Sequence, residues 1–365
     1  MGLPAVSLVP PIVDEDTSGG REINIRTLVK RQQEAMRSGR VQEVMSTSDL
    51  TYLADVIDRG LMVSYLDESI PITYPMLGKR RDTTTLARAG SGHGVDYRLN
   101  AARLIPQVAE GADYTTIDPS DESFEAHTYK YGVNWPVTWE TWLSDNRDLG
   151  LLMEYPQSWG LSARYTQQYL FTSAYAHNTT LFTAGKGNYM SGAGSNLNAA
   201  NLATGVNAIR NFDDPAGNVS VYAGPLFLVV PPTLEWTARA LVESTVVTTG
   251  NTASIPVNNP AARSATVVVD PFLEAIDESY GTTGWYLFAD PRIRPAVRYG
   301  FLRGYDTPSI YVREADARML FGGASDPFDG DFLTDEIAFK LRFTFGVDVA
   351  DWRGAYHSTG EAEAE

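Results

Sequence analysis

Cysteine is absent from the 365-residue chain. That excludes disulfides, thiolate nucleophiles, Cys-ligated zinc and iron–sulfur clusters. Histidine is scarce: His93, His127, His177 and His357 stand far apart, with no HxH or HxxxH pair to hold a metal. A basic surplus is missing too. Lys and Arg total 29 against 45 Asp and Glu, a formal charge of −16. That balance argues against a dedicated nucleic-acid reader and against docking on anionic membranes. No apolar run approaches the ~18 residues that cross a bilayer; the densest, Leu226 to Val230, is strand-sized. The opening segment has no positive region, and Pro4, Pro10 and Pro11 interrupt it, so a secretory signal is not expected. Val6 stands where N-myristoylation wants Ser or Thr. What is present suits a soluble protein made inside a cell. At 43% hydrophobic residues it has enough for a core, and its length fits about two domains or one large one.

Residues 1–20 are punctuated by Pro and Gly and read as an extended arm. Over 21–66 two helices are expected, the second capped by Thr47-Ser48-Asp49 and striped by Leu50, Leu53, Ala54, Ile57 and Leu61. Between positions 21 and 40, Arg21, Arg26, Lys30, Arg31, Arg37 and Arg40 face only Glu22 and Glu34, a local +4. That stretch is either a solvated helix face or an arm that meets an acidic partner. Residues 67–137 are rich in Pro, Thr, Gly and Asp. Ala101 to Val108 and Tyr114 to Ile117 read as strands of a long hairpin with acidic turns. Its centre carries Glu110, Asp113, Asp118, Asp121 and Glu122 and no basic residue, a local −5.

A helix is expected from Pro156, which a first turn accepts and an interior rejects. Trp159, Ala163, Leu170 and Ala174, with Thr166 or Gln167, line it up to Tyr175, and His177-Asn178 end it. Trp135, Trp139 and Trp142 are expected to pack beside it. The Gly-rich stretch 185–195 lacks GxxxxGK[ST] and reads as a flexible connection. Beyond it, a helix over Asn196 to Ile209 precedes a strand over Val219 to Val230 that Pro231-Pro232 stop. A helix over Thr233 to Val242 and strands at Ala265 to Val269 and Trp285 to Ala289 follow. Ile337, Phe339, Leu341, Phe343 and Phe345 alternate with Ala338, Lys340, Arg342 and Thr344: a half-buried strand, expected to end at Gly346.

No catalytic constellation emerges. Asp326, Asp329 and Asp331 with Asp335 and Glu336 depart from the calcium-loop spacing, and Pro327 and Phe328 intrude. GxSxG is absent. Carboxylate pairs such as Glu110 and Asp113 would serve glycoside hydrolysis at the right separation, but any acidic chain offers them. The 19 Tyr and 7 Trp suit cores and interfaces more simply than a sugar groove. Protrusions that cannot bury themselves point to an assembly protein.

Several strings, in a shared order, resemble the major capsid proteins of tailed bacteriophages, closest to the Mu-like major head subunit (gpT) group. They are Val137-Thr138-Trp139-Glu140 with Asn146-Arg147-Asp148-Leu149-Gly150, Tyr155-Pro156 with Trp159-Gly160, and Leu181-Phe182 with Gly187-Asn188. Leu228-Val229-Val230-Pro231-Pro232 with Leu234-Glu235 follow, then Trp285 through Pro291 and Asp351 through Tyr356. Lys186 departs from the His expected there. The resemblance covers residues from about 95 to 356.

It implies an α+β, Hong Kong 97-type capsid fold. The implied parts are an arm over 1–66, a connection over 67–95, an E-loop hairpin over 96–137 and a peripheral domain with a long spine helix over 138–199. An axial domain over 200–325, return strands over 326–360 and an acidic tail over 361–365 complete it. No catalytic residue, cofactor or metal is implied. The implied function is a self-assembling icosahedral shell of pentamers and hexamers in the virion, made in the host bacterial cytoplasm. It would enclose double-stranded DNA without sequence-specific contact or a membrane, with scaffold, portal and decoration proteins as possible partners. The alternatives are an encapsulin-like compartment of the same fold and an acidic carbohydrate-active enzyme. Candidate intersubunit contacts join the acidic residues Glu110, Asp113, Asp118, Asp121 and Glu122 to Arg26, Lys30, Arg37 or Arg164 of a neighbour.

Overall fold

The computed structural model describes residues 59–66, 70–87, 94–99, 107–108, 110, 121–138, 149–213, 222–249, 255–259, 261–313 and 332–362. Its strands are β1 Gly78–Arg80, β2 Gly94–Leu99, β3 Asp121–Ala126, β4 Tyr129–Thr138, β5 Tyr189–Met190, β6 Leu226–Val230 and β7 Val246–Thr249. They continue with β8 Ile255–Asn258, β9 Thr266–Val269, β10 Trp285–Ala289, β11 Val297–Gly300, β12 Ser309–Val312, β13 Glu336–Val349 and β14 Ala355–Ser358. The α-helices are α1 Tyr74–Leu77, α2 Leu149–Tyr175, α3 Ala199–Asn211, α4 Glu235–Glu243 and α5 Leu273–Ile276. The chain divides into two compact units. One holds 1–62, 134–158 and 310–340; the larger holds 63–133, 159–309 and 341–365.

In the larger unit, one sheet has the order β5-β14-β10-β6-β9. Its central strand β10 is buried along its whole length, because helices cover both faces. Trp285, Leu287 and Ala289 point to one side and join Leu202, Val206 and Ile209 of α3 and Ala238 and Val242 of α4. Tyr286 and Phe288 point to the other, where Tyr175 of α2 meets them edge-on at 5.3 and 5.2 Å. Unbroken apolar strands such as WYLFA and LFLVV are what burial on two faces requires. Pro231 and Pro232 end β6, since neither has an N–H for the ladder, and the chain turns into a short 3-10 segment that runs into α4. Asn198 caps α3, its side chain accepting from the Asn201 amide.

The second sheet of this unit joins β1 to β11 and β11 to β13. Over it lies an aromatic cluster. Tyr74 meets Tyr299 at 4.8 Å and Phe345 at 5.5 Å, and Phe171 of α2 approaches Tyr74 at 6.2 Å. Four residues apart on α2, Phe171 and Tyr175 therefore serve the two sheets in turn.

The buried face of α2 is partly polar, which the expected stripe anticipated for Gln167 but not for Gln168 and Thr172. Gln167, Gln168 and Thr172 are wholly buried. The carboxylate of Asp270, also buried, accepts from Thr172 Oγ1 at 2.6 Å, Tyr175 OH at 2.7 Å and Gln168 Nε2 at 3.2 Å. Gln168 Oε1 in turn accepts from the Thr73 amide at 2.8 Å. Desolvation pushes the Asp270 carboxyl above its usual range, and these donors pull it partway back.

Several expectations need correction. Helix α2 begins at Leu149, not at Pro156. Pro156 lies inside it, removing one ladder bond, and the two compact units divide two residues later, after Ser158. Gly346 does not end β13, which runs to Val349. It is glycine because a Cβ there would fall on the carbonyl oxygen of His127, so its absence lets the chain between β3 and β4 approach. The apolar face of β13 holds as expected, with Phe339, Leu341, Phe343 and Phe345 buried. On the opposite face Thr344 is buried as well, since its hydroxyl donates to the Tyr305 carbonyl at 2.9 Å and accepts from the Leu302 amide. The Gly-rich stretch contains ordered structure. Gly187, Gly192 and Gly194 take positive φ around strand β5, and buried Asn188 donates to the Leu181 carbonyl and accepts from the Thr183 amide. Trp135 belongs to β4 and tilts against Phe339 at 5.9 Å in the smaller unit; Trp139 and Trp142 lie outside the described residues. Of the second helical stripe in the arm, Leu61 is helical and buried, and the rest lies outside the described residues.

Candidate intersubunit surface

The described residues contain an antiparallel ribbon that flanks the expected hairpin. β2 pairs antiparallel with β3 from Gly94 opposite Ala126 to Leu99 opposite Asp121. The strands proposed over Ala101 to Val108 and Tyr114 to Ile117 fall almost entirely outside the described residues. Two residues assigned to the acidic turn are strand residues instead: Asp121 stands opposite Leu99, and Glu122 opposite Arg98. Asp121 and Glu122 therefore belong to the paired strands of the ribbon and not to a turn.

A two-stranded ribbon is marginal in water unless something holds it. Here the hold is at its base. The guanidinium of Arg298 in β11 sits 4.8 Å over the ring of Phe124. Just beyond β3, the His127 amide donates to one Asp348 carboxylate oxygen, and its Nδ1 lies 2.8 Å from the other. Glu125 lies 3.6 Å from Nε2 of the same ring. Thr83 and Thr128 join by hydroxyls at 2.8 Å.

The other candidate residues are distributed as follows. Glu110 is exposed in a turn. Arg26, Lys30, Arg37, Asp113 and Asp118 lie outside the described residues. Arg164 is half-buried on α2, and its Nη1 donates to the Tyr65 carbonyl at 3.0 Å, so one of its donors is already committed within its own subunit. Sequence reading missed the exposed apolar residues: Trp236 on α4 is 81% exposed, and Phe332 and Leu333 of the smaller unit are 77% and 85% exposed. A signal existed for Trp236, which faces away from the Ala238 and Val242 stripe; none existed for Phe332 and Leu333.

Among the described residues no group of three His, Asp or Glu is placed to hold a metal, and no helix is long and apolar enough to cross a membrane. The calcium candidates Asp326, Asp329 and Asp331 lie outside the described residues.

No curated protein matches the chain. Among solved structures it is similar to that of Mycobacterium phage Ogopogo, at 12% identity over 79% of this chain and 91% of that one, with a TM-score of 0.44. It is also similar to the capsid of the cyanophage P-SCSP1u, at 10% identity over 80% and 88%, TM-score 0.49. A third similarity is to Gordonia phage Cozz, at 13% identity over 97% and 99%, TM-score 0.46. The family model described as phage capsid protein matches residues 121–358. That span runs from the first residue of β3 to the last of β14 and takes in the whole first sheet, the second sheet except β1, α2 and one strand of the ribbon. The chain belongs to the phage capsid protein family, and its place is the capsid of the virion.

Proposed function

We propose that this capsid protein is the major head subunit of a tailed double-stranded DNA phage, of the Hong Kong 97-type fold. Copies of it would close into an icosahedral shell of pentamers and hexamers around the genome. The family match over 121–358 carries the reading, and it favours a phage head over a cargo compartment or a carbohydrate-active enzyme. A mixed helix-and-sheet body with a two-stranded ribbon agrees with it. The acidic balance does too, because a genome that must slide in and out gains nothing from an adhesive basic wall. Synthesis in the bacterial cytoplasm, and scaffold, portal and decoration partners, belong to the same proposal.

Within that shell the ribbon is the E-loop, and it rests on a neighbouring subunit. Glu110, Asp113 and Asp118 are acids of this segment that fall outside the β2–β3 register. Arg26, Lys30 and Arg37 of a neighbour's arm are the partners proposed for them, ahead of Arg164, one donor of which already serves the Tyr65 carbonyl. Closed symmetric assembly would give every such protrusion a defined seat. Sedimentation and negative-stain microscopy of the full-length protein, expressed with its phage's scaffold, are expected to find closed particles of megadalton mass. A protein that stays monomeric under those conditions overturns the proposal.

A further inference from the structure

The end of α2 and strand β14 bring together two histidines that lie 180 positions apart in sequence. His177 follows the helix in a left-handed conformation, φ +45°, and its amide donates to the Tyr286 hydroxyl at 3.1 Å. His357 in β14 is fully buried. Its ring stacks on Tyr286 at 4.1 Å and 7°, and its Nδ1 lies 3.2 Å from the Trp285 carbonyl. A carbonyl only accepts, so Nδ1 carries the proton and Nε2 keeps its lone pair. That lone pair is buried without a partner, as is Nδ1 of His177. Both rings line a cavity of about 240 Å³ together with Thr179, Phe182, Thr183 and Tyr189. Their centroids are 6.0 Å apart, with planes at 83°. Two bonds of about 2 Å to a shared ion, each added to the radius of an imidazole ring, span a separation of that size.

We propose that this cavity binds a divalent late-transition-metal ion, of which Zn²⁺ is the example, through Nε2 of His357 and Nδ1 of His177, with water completing the coordination. The preference for such an ion over Mg²⁺ or Ca²⁺ follows from the ligands, which are imidazoles in a cavity whose lining includes no carboxylate. The Trp285 carbonyl supplies the outer support that metal-binding histidines use to fix the tautomer and aim the ring. Burial holds the His357 ring neutral, with its pKa pushed down to about 3, so an arriving ion has no proton to displace there. The ion would pin the end of α2 to β14 at the place where the polypeptide leaves the helix.

The test titrates the full-length, unassembled protein with Zn²⁺ alone, by calorimetry and by thermal unfolding. One equivalent is expected to bind, with a midpoint that climbs as Zn²⁺ is added. His177→Gln is half-buried and is expected to leave the metal-free midpoint near wild type while weakening Zn²⁺ binding at least about tenfold, since loss of even a supporting group costs a site that much. With Cu²⁺ as the probe, electron paramagnetic resonance is expected to show coupling to two imidazole nitrogens in the wild type and to one in the variant. Absence of binding overturns the proposal, as does equal affinity in His177→Gln or a copper spectrum without imidazole coupling. Those outcomes would leave the two nitrogens to ordered water only.

Discussion

Asp270 and His357 are buried titratable groups of opposite type, and they tilt stability with pH in opposite directions. Burial raises the Asp270 carboxyl despite its three side-chain donors. Between the ordinary carboxylate value of about 4 and the raised folded value, the folded protein keeps a proton that the unfolded chain has released, so stability falls as pH rises across that window. For His357 the folded value is depressed to about 3. The unfolded chain then takes up a proton below about 6.5 while the folded ring stays neutral, and stability falls as pH drops. Asp270→Asn removes the first effect and leaves the second. It also turns an acceptor into a donor facing Gln168 Nε2, at a cost of about 1–3 kcal/mol for the unmet group. In urea unfolding from pH 4 upward, the wild-type advantage over this variant is expected to shrink with rising pH and then level off. A gap that is constant from pH 4 would mean that Asp270 does not titrate in the folded protein above its ordinary value. Phe343 tests the strand instead. It is 6% exposed on the apolar face of β13, so Phe343→Asp is expected to cost several kcal/mol or force protonation, out of a typical domain total of ~5–15 kcal/mol. Lys340→Asp, at an exposed position of the same strand, loses the approach of its ammonium to the Tyr311 ring at 5.2 Å and is expected to cost no more than about 1 kcal/mol. Equal urea midpoints for the two variants would place the strand in the wrong register.

In the proposed shell, the paired strands of the β2–β3 ribbon supply stability through their contacts, and the residues beyond them supply intersubunit contact. Its base is tied down by Phe124 under Arg298 and by His127 against Asp348. Replacing residues 104–117 by a short Gly-Ser turn keeps all of those contacts and the whole β2–β3 register. The thermal midpoint of the unassembled subunit is therefore expected to stay within about 2 °C of wild type, in line with a loss below about 0.5 kcal/mol. Shells built from the shortened protein are expected to be absent or misshapen under the microscope. Normal shells would show that the tip does not carry intersubunit contact, and an unfolded subunit would show that it serves subunit stability instead. Arg98→Glu sets like charges at the opposed positions of Arg98 and Glu122 and is expected to loosen the ribbon by about 0.2–1 kcal/mol. Hydrogen exchange in β2 and β3 reads this directly: unchanged protection would mean that the pair contributes nothing.

For the assembled particle the relevant balance is between net repulsion and close pairs. Each subunit carries a formal −16, so copies repel one another at low ionic strength. At physiological salt the Debye length is already about 8 Å, and charges farther apart than that are largely screened. Further salt acts mainly on pairs in contact. Exposed pairs are each worth under about 1 kcal/mol, yet a shell repeats them in every subunit. If the acidic tip rests on a neighbour's basic arm, raising NaCl from 0.15 M to 1 M is expected to raise the subunit concentration needed for shells to form, followed by light scattering. A fall in that threshold would show that residual repulsion outweighs the tip–arm pairs.

The elements legible along the chain were those whose signal is local. β9, β10 and α3 stand within a few residues of where their apolar runs place them, and β6 ends at Val230 where the prolines stop it although it starts at Leu226 rather than Val219, because apolar runs and proline stops act on near neighbours. β13 was legible by its alternation, and the order of short strings was enough to point to the capsid family that the match over 121–358 confirms. What the chain alone left open depends on partners distant in sequence. Leu149 to Tyr155 belong to α2 although Pro156 reads as a start signal, because a helix tolerates one missing ladder bond when it is long. Gly346 continues a strand because the His127 carbonyl arrives from more than two hundred residues away. Gln168 and Thr172 are core residues only because Asp270 lies across from them. His177 and His357 share a cavity that no spacing encodes. In each case a polar or permissive residue takes its meaning from a group brought near by packing, and periodicity within one segment carries no record of that group.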